Sequence, residues 1–143
     1  MADFSLPSRL TLEIVTPDRS LVRETVDEVQ VPAAEGYMGI LHGHTPYLAT
    51  LQVGQLSYRI GQQTTNLHVA FGFVEVLPNR VTVLAQVAER AEDIDVERAE
   101  AARRRAEDRI SKPVPEMDFE RARIAMMKSL IRLQVAGRVK SRV

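Results

Sequence analysis

From Leu10 to about Ala88 hydrophobic and polar residues alternate with a period of two. Leu10, Leu12 and Ile14 alternate with Thr11, Glu13 and Val15; Leu56, Tyr58 and Ile60 with Ser57 and Arg59; Val81, Val83 and Ala85 with Thr82 and Leu84. Successive side chains of an extended chain point to opposite faces, so each run predicts a strand with one face buried. A strand around position 28 would set Val26, Glu28 and Gln30 on one side and Asp27, Val29 and Val31 on the other. Turn-forming pairs divide the runs: Pro17-Asp18, Glu35-Gly36, His42-Gly43, Val53-Gly54, Ile60-Gly61 and Pro78-Asn79. Many short strands at this spacing predict a sandwich or barrel. About 88 residues can bury a modest core of their own.

After Ala88 the period changes. Ala, Glu and Arg take over, and they favour helix. Asp95 is placed to cap a helix through about Ile110, its carboxylate accepting from free backbone N–H groups. Ser111-Lys112-Pro113-Val114-Pro115 breaks that helix, because two prolines cannot sit inside one. Asp118 would cap a second helix running to about Ala136, with Gly137 as its stop. A short connection between two helices makes them an antiparallel hairpin. The fold class is therefore α+β with segregated parts, an all-β sandwich over residues 1–88 and a two-helix hairpin over residues 89–143.

The two helices read as copies. A shift of 23 residues carries Asp95, Glu97, Arg98, Ala99, Ala102 and Arg109 onto Asp118, Glu120, Arg121, Ala122, Ala125 and Arg132. Arg98, Arg105 and Arg109 are spaced i, i+7, i+11, which at ~100° per residue puts them within about 40° on one face. Arg121, Lys128 and Arg132 repeat that spacing. Opposite them on the second helix lies an apolar stripe of Phe119, Met126, Leu130 and Leu133, with core packing as the default role for such a stripe. The first helix offers only Val96, Ala99, Ala106 and Ile110, interrupted by Arg103. The apolar stripes are expected to pair and the basic stripes to face outward. So little apolar area is expected to let the hairpin open or relocate.

Composition narrows the chemistry. The chain has 143 residues and no Cys, which excludes disulfides, thiolate metal sites and a Cys nucleophile. His42 and His44 flank Gly43 without an obvious third ligand, and His68 lies on another strand, so the histidines are expected to be structural or on the surface. Glu75 stands alone in an apolar run and is expected on the outer face of a strand. There is no phosphate-cradling glycine loop, no nucleophile elbow and no catalytic constellation, so no catalytic residue and no metal ligand is assigned. No apolar run approaches the ~20 residues of a membrane span. Met1 to Ser5 lack the basic and apolar regions of a signal peptide, so a cytosolic setting is expected, with the membrane reached only through partners.

Charge is unevenly placed. The net charge is zero, but residues 1–88 carry 5 basic and 8 acidic side chains, and residues 89–143 carry 14 and 11. After Glu120 there are seven basic residues, Arg121, Arg123, Lys128, Arg132, Arg138, Lys140 and Arg142, and no acidic one. A basic arm of this kind suits an anionic partner. A nucleic-acid-binding module is the rival reading; aromatics make up only 5% of the chain and Phe119 is the single one in the helices, which leaves base stacking poorly supplied.

Several stretches, in order, resemble the epsilon subunit of bacterial F-type ATP synthases. Leu12-Glu13-Ile14-Val15-Thr16-Pro17-Asp18-Arg19 is similar to the family's first strand and turn. Gly36-Tyr37-Met38-Gly39-Ile40-Leu41-His42-Gly43-His44-Thr45-Pro46 is similar to its glycine-punctuated G-x-x-G-[IV]-L-P-G-H-x-P, with His42 where Pro is usual. Gly72-Phe73-Val74-Glu75-Val76 and Asn79 to Ala85 resemble its last strands, with Phe71 where a second Gly is common, and Ala88 to Asp95 resemble the entry into its first helix. The resemblance implies a β-sandwich of ten strands that docks on the gamma subunit and the c-ring. It also implies a hairpin that can extend along gamma into the alpha/beta head and inhibit ATP hydrolysis, its basic stripe of Arg121, Lys128 and Arg132 meeting an acidic beta segment. Such a subunit is non-catalytic, requires no cofactor and belongs at the cytoplasmic face of the bacterial cell membrane as part of the complex. Ile94-Asp95-Val96-Glu97-Arg98-Ala99 is similar to the I-D-x-x-R-A motif by which some members bind ATP as a regulatory ligand. The resemblance adds Glu89 and Arg105 on the first helix and Lys128 and Arg132 on the second to that site. Arg suits it physically, since its guanidinium donates charge-assisted hydrogen bonds to phosphate oxygens.

Overall fold

The computed structural model describes residues 8–140. Eight strands are followed by two helices. The strands are β1 (Leu10–Val15), β2 (Ser20–Val26), β3 (Glu28–Ala33), β4 (Gly36–Leu41), β5 (Tyr47–Leu51), β6 (Gly54–Ile60), β7 (Gln63–Leu77) and β8 (Arg80–Arg90). After a 3-10 turn at Ala91–Asp93 come α1 (Val96–Ser111) and α2 (Phe119–Lys140). Met1 to Ser5 and Arg142 lie outside the described residues.

Hydrogen bonding orders the strands β2-β1-β8-β7-β5-β3-β4, with β6 joined to β3 and β7. All pairs are antiparallel except β1 with β8. Strand β7 changes partner along its length. Residues 63–69 pair with β6 and residues 72–76 with β5. The change falls where Phe71 and Gly72 both take positive φ, 62° and 129°. The ten-strand expectation thus becomes eight ribbons, because β7 and β8 run unbroken for 15 and 11 residues.

The alternation read from the sequence sets the core. Leu10, Leu12, Ile14, Leu56, Tyr58, Val81, Val83 and Ala85 are all buried, while Leu84 and Glu75 face out. One phase is corrected. Val26, Val29 and Val31 are all buried, so no single alternation runs from Val26 to Val31. Asp27 breaks the strand there. Its carboxylate accepts the Gly61 N–H at 2.7 Å and pairs with Arg9 at 3.0 Å, and the contact with Gly61, opposed by burial and aided by Arg9, holds its pKa below the usual carboxylate range.

Both expected N-caps form. Asp95 accepts from the Arg98 N–H at 3.0 Å and Asp118 from the Arg121 N–H at 3.1 Å. Gly137 does not stop α2, which runs on to Lys140. A glycine ends a helix by taking a left-handed conformation, and Gly137 is not among the positive-φ residues. Small residues recur every seven positions on the buried faces of the helices, Ala99 and Ala106 on α1, then Ala122, Ser129 and Ala136 on α2. Such residues let two backbones approach closely, so the hairpin is packed by small side chains rather than by the large stripe.

The large stripe is a correction. Phe119 and Leu130 are 51% and 48% exposed, and Met126 and Leu133 are only half-buried. Helix α2 is wedged between α1 and the sandwich, and those two contacts use its other faces. A separate small cluster of Ala91, Ile94, Val135 and Ala136 closes the end of α2 over the 3-10 turn. The main core draws no buried residue from either helix. A chain ending at Asp93 is therefore expected to fold and melt cooperatively by circular dichroism; loss of strand signal at room temperature would show that the sandwich needs the hairpin.

Candidate functional site

Where β8, the 3-10 turn, α1 and α2 meet there is a cleft of about 360 Å³. Its lining is Glu89, Asp93, Asp95, Arg98, Ala99, Ala102, Arg105 and Arg132. Six of the residues singled out in the sequence thus converge: Glu89, Asp95, Arg98, Ala99, Arg105 and Arg132. Two do not line it. Ile94 is buried in the small cluster beneath, and the Lys128 ammonium lies 5.6 Å from the centre of the Phe71 ring. Glu89 is on β8, not on the first helix as the resemblance implies, because the strand continues to Arg90 before the chain turns.

The arginines of the cleft are in two states. Arg98 and Arg105 are exposed on α1, and among the described residues neither side chain has an ion-pair or hydrogen-bond partner. They are i, i+7 on one helix face and free to meet an anion. Arg132 is already engaged. Its Nε donates to Glu89 Oε1 at 2.6 Å, and the same oxygen accepts from His68 Nδ1 at 2.8 Å. Like Arg132, Lys128 turns toward the sandwich. The expectation that both basic stripes face outward therefore holds for Arg98, Arg105, Arg109 and Arg121 and fails for Lys128 and Arg132. The reason is the wedged position of α2, which gives the free hairpin's outer face a second neighbour.

Burial opposes ionisation of Glu89, but the hydrogen bonds from His68 and Arg132 outweigh it and bring its pKa down to about 2. A carboxylate whose folded pKa lies below its unfolded value stabilises the fold above the unfolded pKa, near 4.5. That stabilisation, on the order of 2–3 kcal/mol, is lost as pH falls from there toward 2. The stability difference between the wild type and Glu89→Gln is expected to be full above pH 5 and to shrink to nothing near pH 2. Melts at stepped pH check this, and a difference that does not change with pH would contradict it.

His68 is the residue that sequence reasoning left unused. It is 0% exposed, and since a carboxylate can only accept, its Nδ1 donates and its Nε2 is left without a partner among the described residues. The available signal is the run Leu67-His68-Val69-Ala70, apolar but for the histidine, as in a strand covered on both faces, and all four are buried. His42 lies exposed on the β4–β5 turn, and His44 Nδ1 meets its neighbour's Thr45 oxygen at 2.6 Å.

A second surface lies on the outside of the sandwich. Phe73 and Leu84 are cross-strand partners on β7 and β8, both more than half exposed, and with Val15 and Pro17 they line an apolar groove of about 350 Å³. Leu48 on β5, 68% exposed, lies diagonally across from Phe73. Contiguous exposed apolar side chains of this kind mark contact surfaces. Among the described residues no helix is long and apolar enough to cross a membrane.

Comparison with known proteins gives a consistent result. Residues 9–91 match the family described as "ATP synthase, Delta/Epsilon chain, beta-sandwich domain", and residues 92–137 the one described as "ATP synthase, Delta/Epsilon chain, long alpha-helix domain". An ATP synthase epsilon chain of Solibacter usitatus is 47% identical over 133 residues, covering 93% of this chain and 99% of that one. In the solved Euglena gracilis mitochondrial ATP synthase (OSCP/F1/c-ring, rotational state 1) one chain is similar with a TM-score of 0.70 at 22% identity, covering 99% of this chain and 86% of that one. A chain of the Tetrahymena thermophila mitochondrial ATP synthase central stalk and c-ring is similar with a TM-score of 0.58 at 10% identity, covering 94% and 98%.

Proposed function

The chain belongs to the ATP synthase delta/epsilon chain family, and from that premise we propose that it is the epsilon subunit of a rotary ATP synthase, a non-catalytic part of the central stalk that couples ion translocation to ATP synthesis and restrains ATP hydrolysis. The sandwich docks on gamma and the c-ring, and the apolar face of Leu48, Phe73 and Leu84 is suited to such a contact. The helical hairpin is the regulatory part. Folded, it lies on the sandwich; extended along gamma, it brings Arg121, Lys128 and Arg132 to an acidic segment of the alpha/beta head. Charge complementarity there fixes encounter and register more than affinity. The complex sits at the cytoplasmic face of the bacterial membrane, and this chain reaches the membrane only through its neighbours.

ATP is the regulatory ligand of the folded form. The observation that carries this is the convergence of Glu89, Asp95, Arg98, Ala99, Arg105 and Arg132 on one cleft, with two arginines unpaired within the described residues. The cleft mixes three carboxylates with three guanidiniums, so the phosphates belong against Arg98 and Arg105, and the carboxylates are acceptors for ribose or base donors. A ligand that binds only the folded hairpin draws the population toward it, so inhibition is strongest when ATP is scarce. The nucleic-acid reading loses ground, because Lys128 and Arg132 are turned to the sandwich and interrupt the basic stripe of α2.

Affinity purification of the tagged chain from its host tests the assignment. Recovery of gamma and the catalytic subunits is the expected result. Their absence, with the chain folded and alone, would sink it.

A further inference from the structure

The polar side chains under α2 form a row. Gln55 on β6 is the cross-strand partner of His68 on β7, and His68 is the partner of Glu89 on β8, so all three share one face. Helix α2 meets the two ends of the row. Gln134 Nε2 donates to Gln55 Oε1 at 3.0 Å, and Arg132 Nε donates to Glu89 Oε1 at 2.6 Å. In the middle His68 is fully buried and spends its one hydrogen bond on Glu89. Three residues further along β7, Phe71 holds a left-handed φ of 62°, a conformation costly for any residue with a side chain, and its ring lies under Lys128 at 5.6 Å. Lys128 and Arg132 are one helical turn apart, and both are taken up by the sandwich.

We propose that His68, Glu89 and Phe71 form an internal receptor on the sandwich that sequesters Lys128 and Arg132 while the hairpin is docked. Two of the three cations of the inhibitory stripe then cannot meet an acidic partner until the hairpin has left its seat, so docking and inhibition compete for the same side chains. His68 is a positioning residue in this device. Among the described residues its hydrogen bond goes to Glu89 and not to a cation; it holds Glu89 ionised and aimed at Arg132. The latch is mostly polar, so its release transfers side chains to water that water solvates well, and only the small cluster of Ala91, Ile94, Val135 and Ala136 resists. This rests on the reading that the hairpin leaves the sandwich to inhibit.

The full chain has no Cys, so two can be introduced cleanly at Gln62 and Leu130, both exposed, and labelled for energy transfer between sandwich and α2. Arg132→Gln and His68→Leu are each expected to raise the undocked fraction about tenfold, the loss of a charge-assisted contact. His68→Asn keeps a side-chain N–H near the Nδ1 position and is expected to retain docking that His68→Leu loses. A purely structural histidine would not show that rescue. Unchanged transfer in Arg132→Gln, with the sandwich folded, overturns the proposal. Should His68→Leu unfold the sandwich, Arg132→Gln still decides, since that side chain sits on α2 and, among the described residues, bonds the sandwich only through Glu89. A folded but undocked His68→Leu chain, its basic stripe intact, whose assembled complex is no more strongly inhibited supports the latch and overturns the inhibition reading instead.

Discussion

Gly72→Ala is expected to destabilise the sandwich by about 3 kcal/mol or more. A Cβ on Gly72 would lie 1.9 Å from the Leu84 carbonyl oxygen and 2.9 Å from its carbon. Both are backbone atoms of the neighbouring strand and cannot rotate away. The φ of 129° adds strain for any residue with a side chain. The position is central, because β7 exchanges β6 for β5 there while staying paired with β8. Gly39→Ala is the control. A Cβ there has nothing within 4 Å and φ is not in the left-handed region, so a change within about 0.5 kcal/mol is expected. Chemical denaturation of both variants measures the contrast, and equal stabilities would contradict the close approach of β7 to β8.

The second large effect concerns nucleotide. Calorimetric titration of the full chain with ATP is expected to show binding, together with added amide protection across residues 94–136. Arg98→Ala should weaken it by about 1.5–3 kcal/mol, the worth of a hydrogen bond to a charged group, and Arg98→Ala with Arg105→Ala should abolish it at millimolar ATP. Both side chains are exposed and unpartnered among the described residues, so their removal leaves the hairpin's packing intact. Asp95→Ala is a poorer probe, because the same carboxylate caps α1 through the Arg98 N–H. No heat from the wild type would reduce Asp95 to a helix cap and Arg98 and Arg105 to a solvated stripe.

Most of the sandwich was legible because one face of nearly every strand is buried and the other is wet. Leu10, Leu12 and Ile14, or Val81, Val83 and Ala85, carry that record directly. The caps Asp95 and Asp118 were legible because capping is a local contact, three residues long. The break at Asp27 was not, since it depends on Gly61 and Arg9, far off in sequence. The orientation of α2 was misread for a physical reason. Hydrophobic patterning weighs Phe119, Met126, Leu130 and Leu133 heavily, but the helix packs through Ala122, Ser129 and Ala136 on one side and through Lys128, Arg132 and Val135 on another. Small and long charged residues bury well and score poorly. Phe119 and Leu130 of the large stripe are left facing solvent in the folded hairpin, with Met126 and Leu133 half-buried.

The cleft shows the same division. Its arginines on α1 follow from helical spacing alone. The pairing of Arg132 with Glu89 spans 43 positions and joins a helix to a strand, so only the fold could bring them together. The pairing also alters what replacing the stripe would do. Alanine at Lys128 and Arg132 removes charge that an acidic partner would use and at the same time frees the hairpin from the sandwich, two effects of opposite sign on inhibition.

Removing the hairpin outright avoids that opposition. The measurement is the steady rate of ATP hydrolysis by the complex assembled with the full chain and with a chain ending at Asp93, at limiting ATP and with gamma and the catalytic subunits present in equal amounts. A rate several-fold higher without the hairpin is expected, with assembly unchanged. Equal rates from equally assembled complexes would contradict a regulatory role for the two helices.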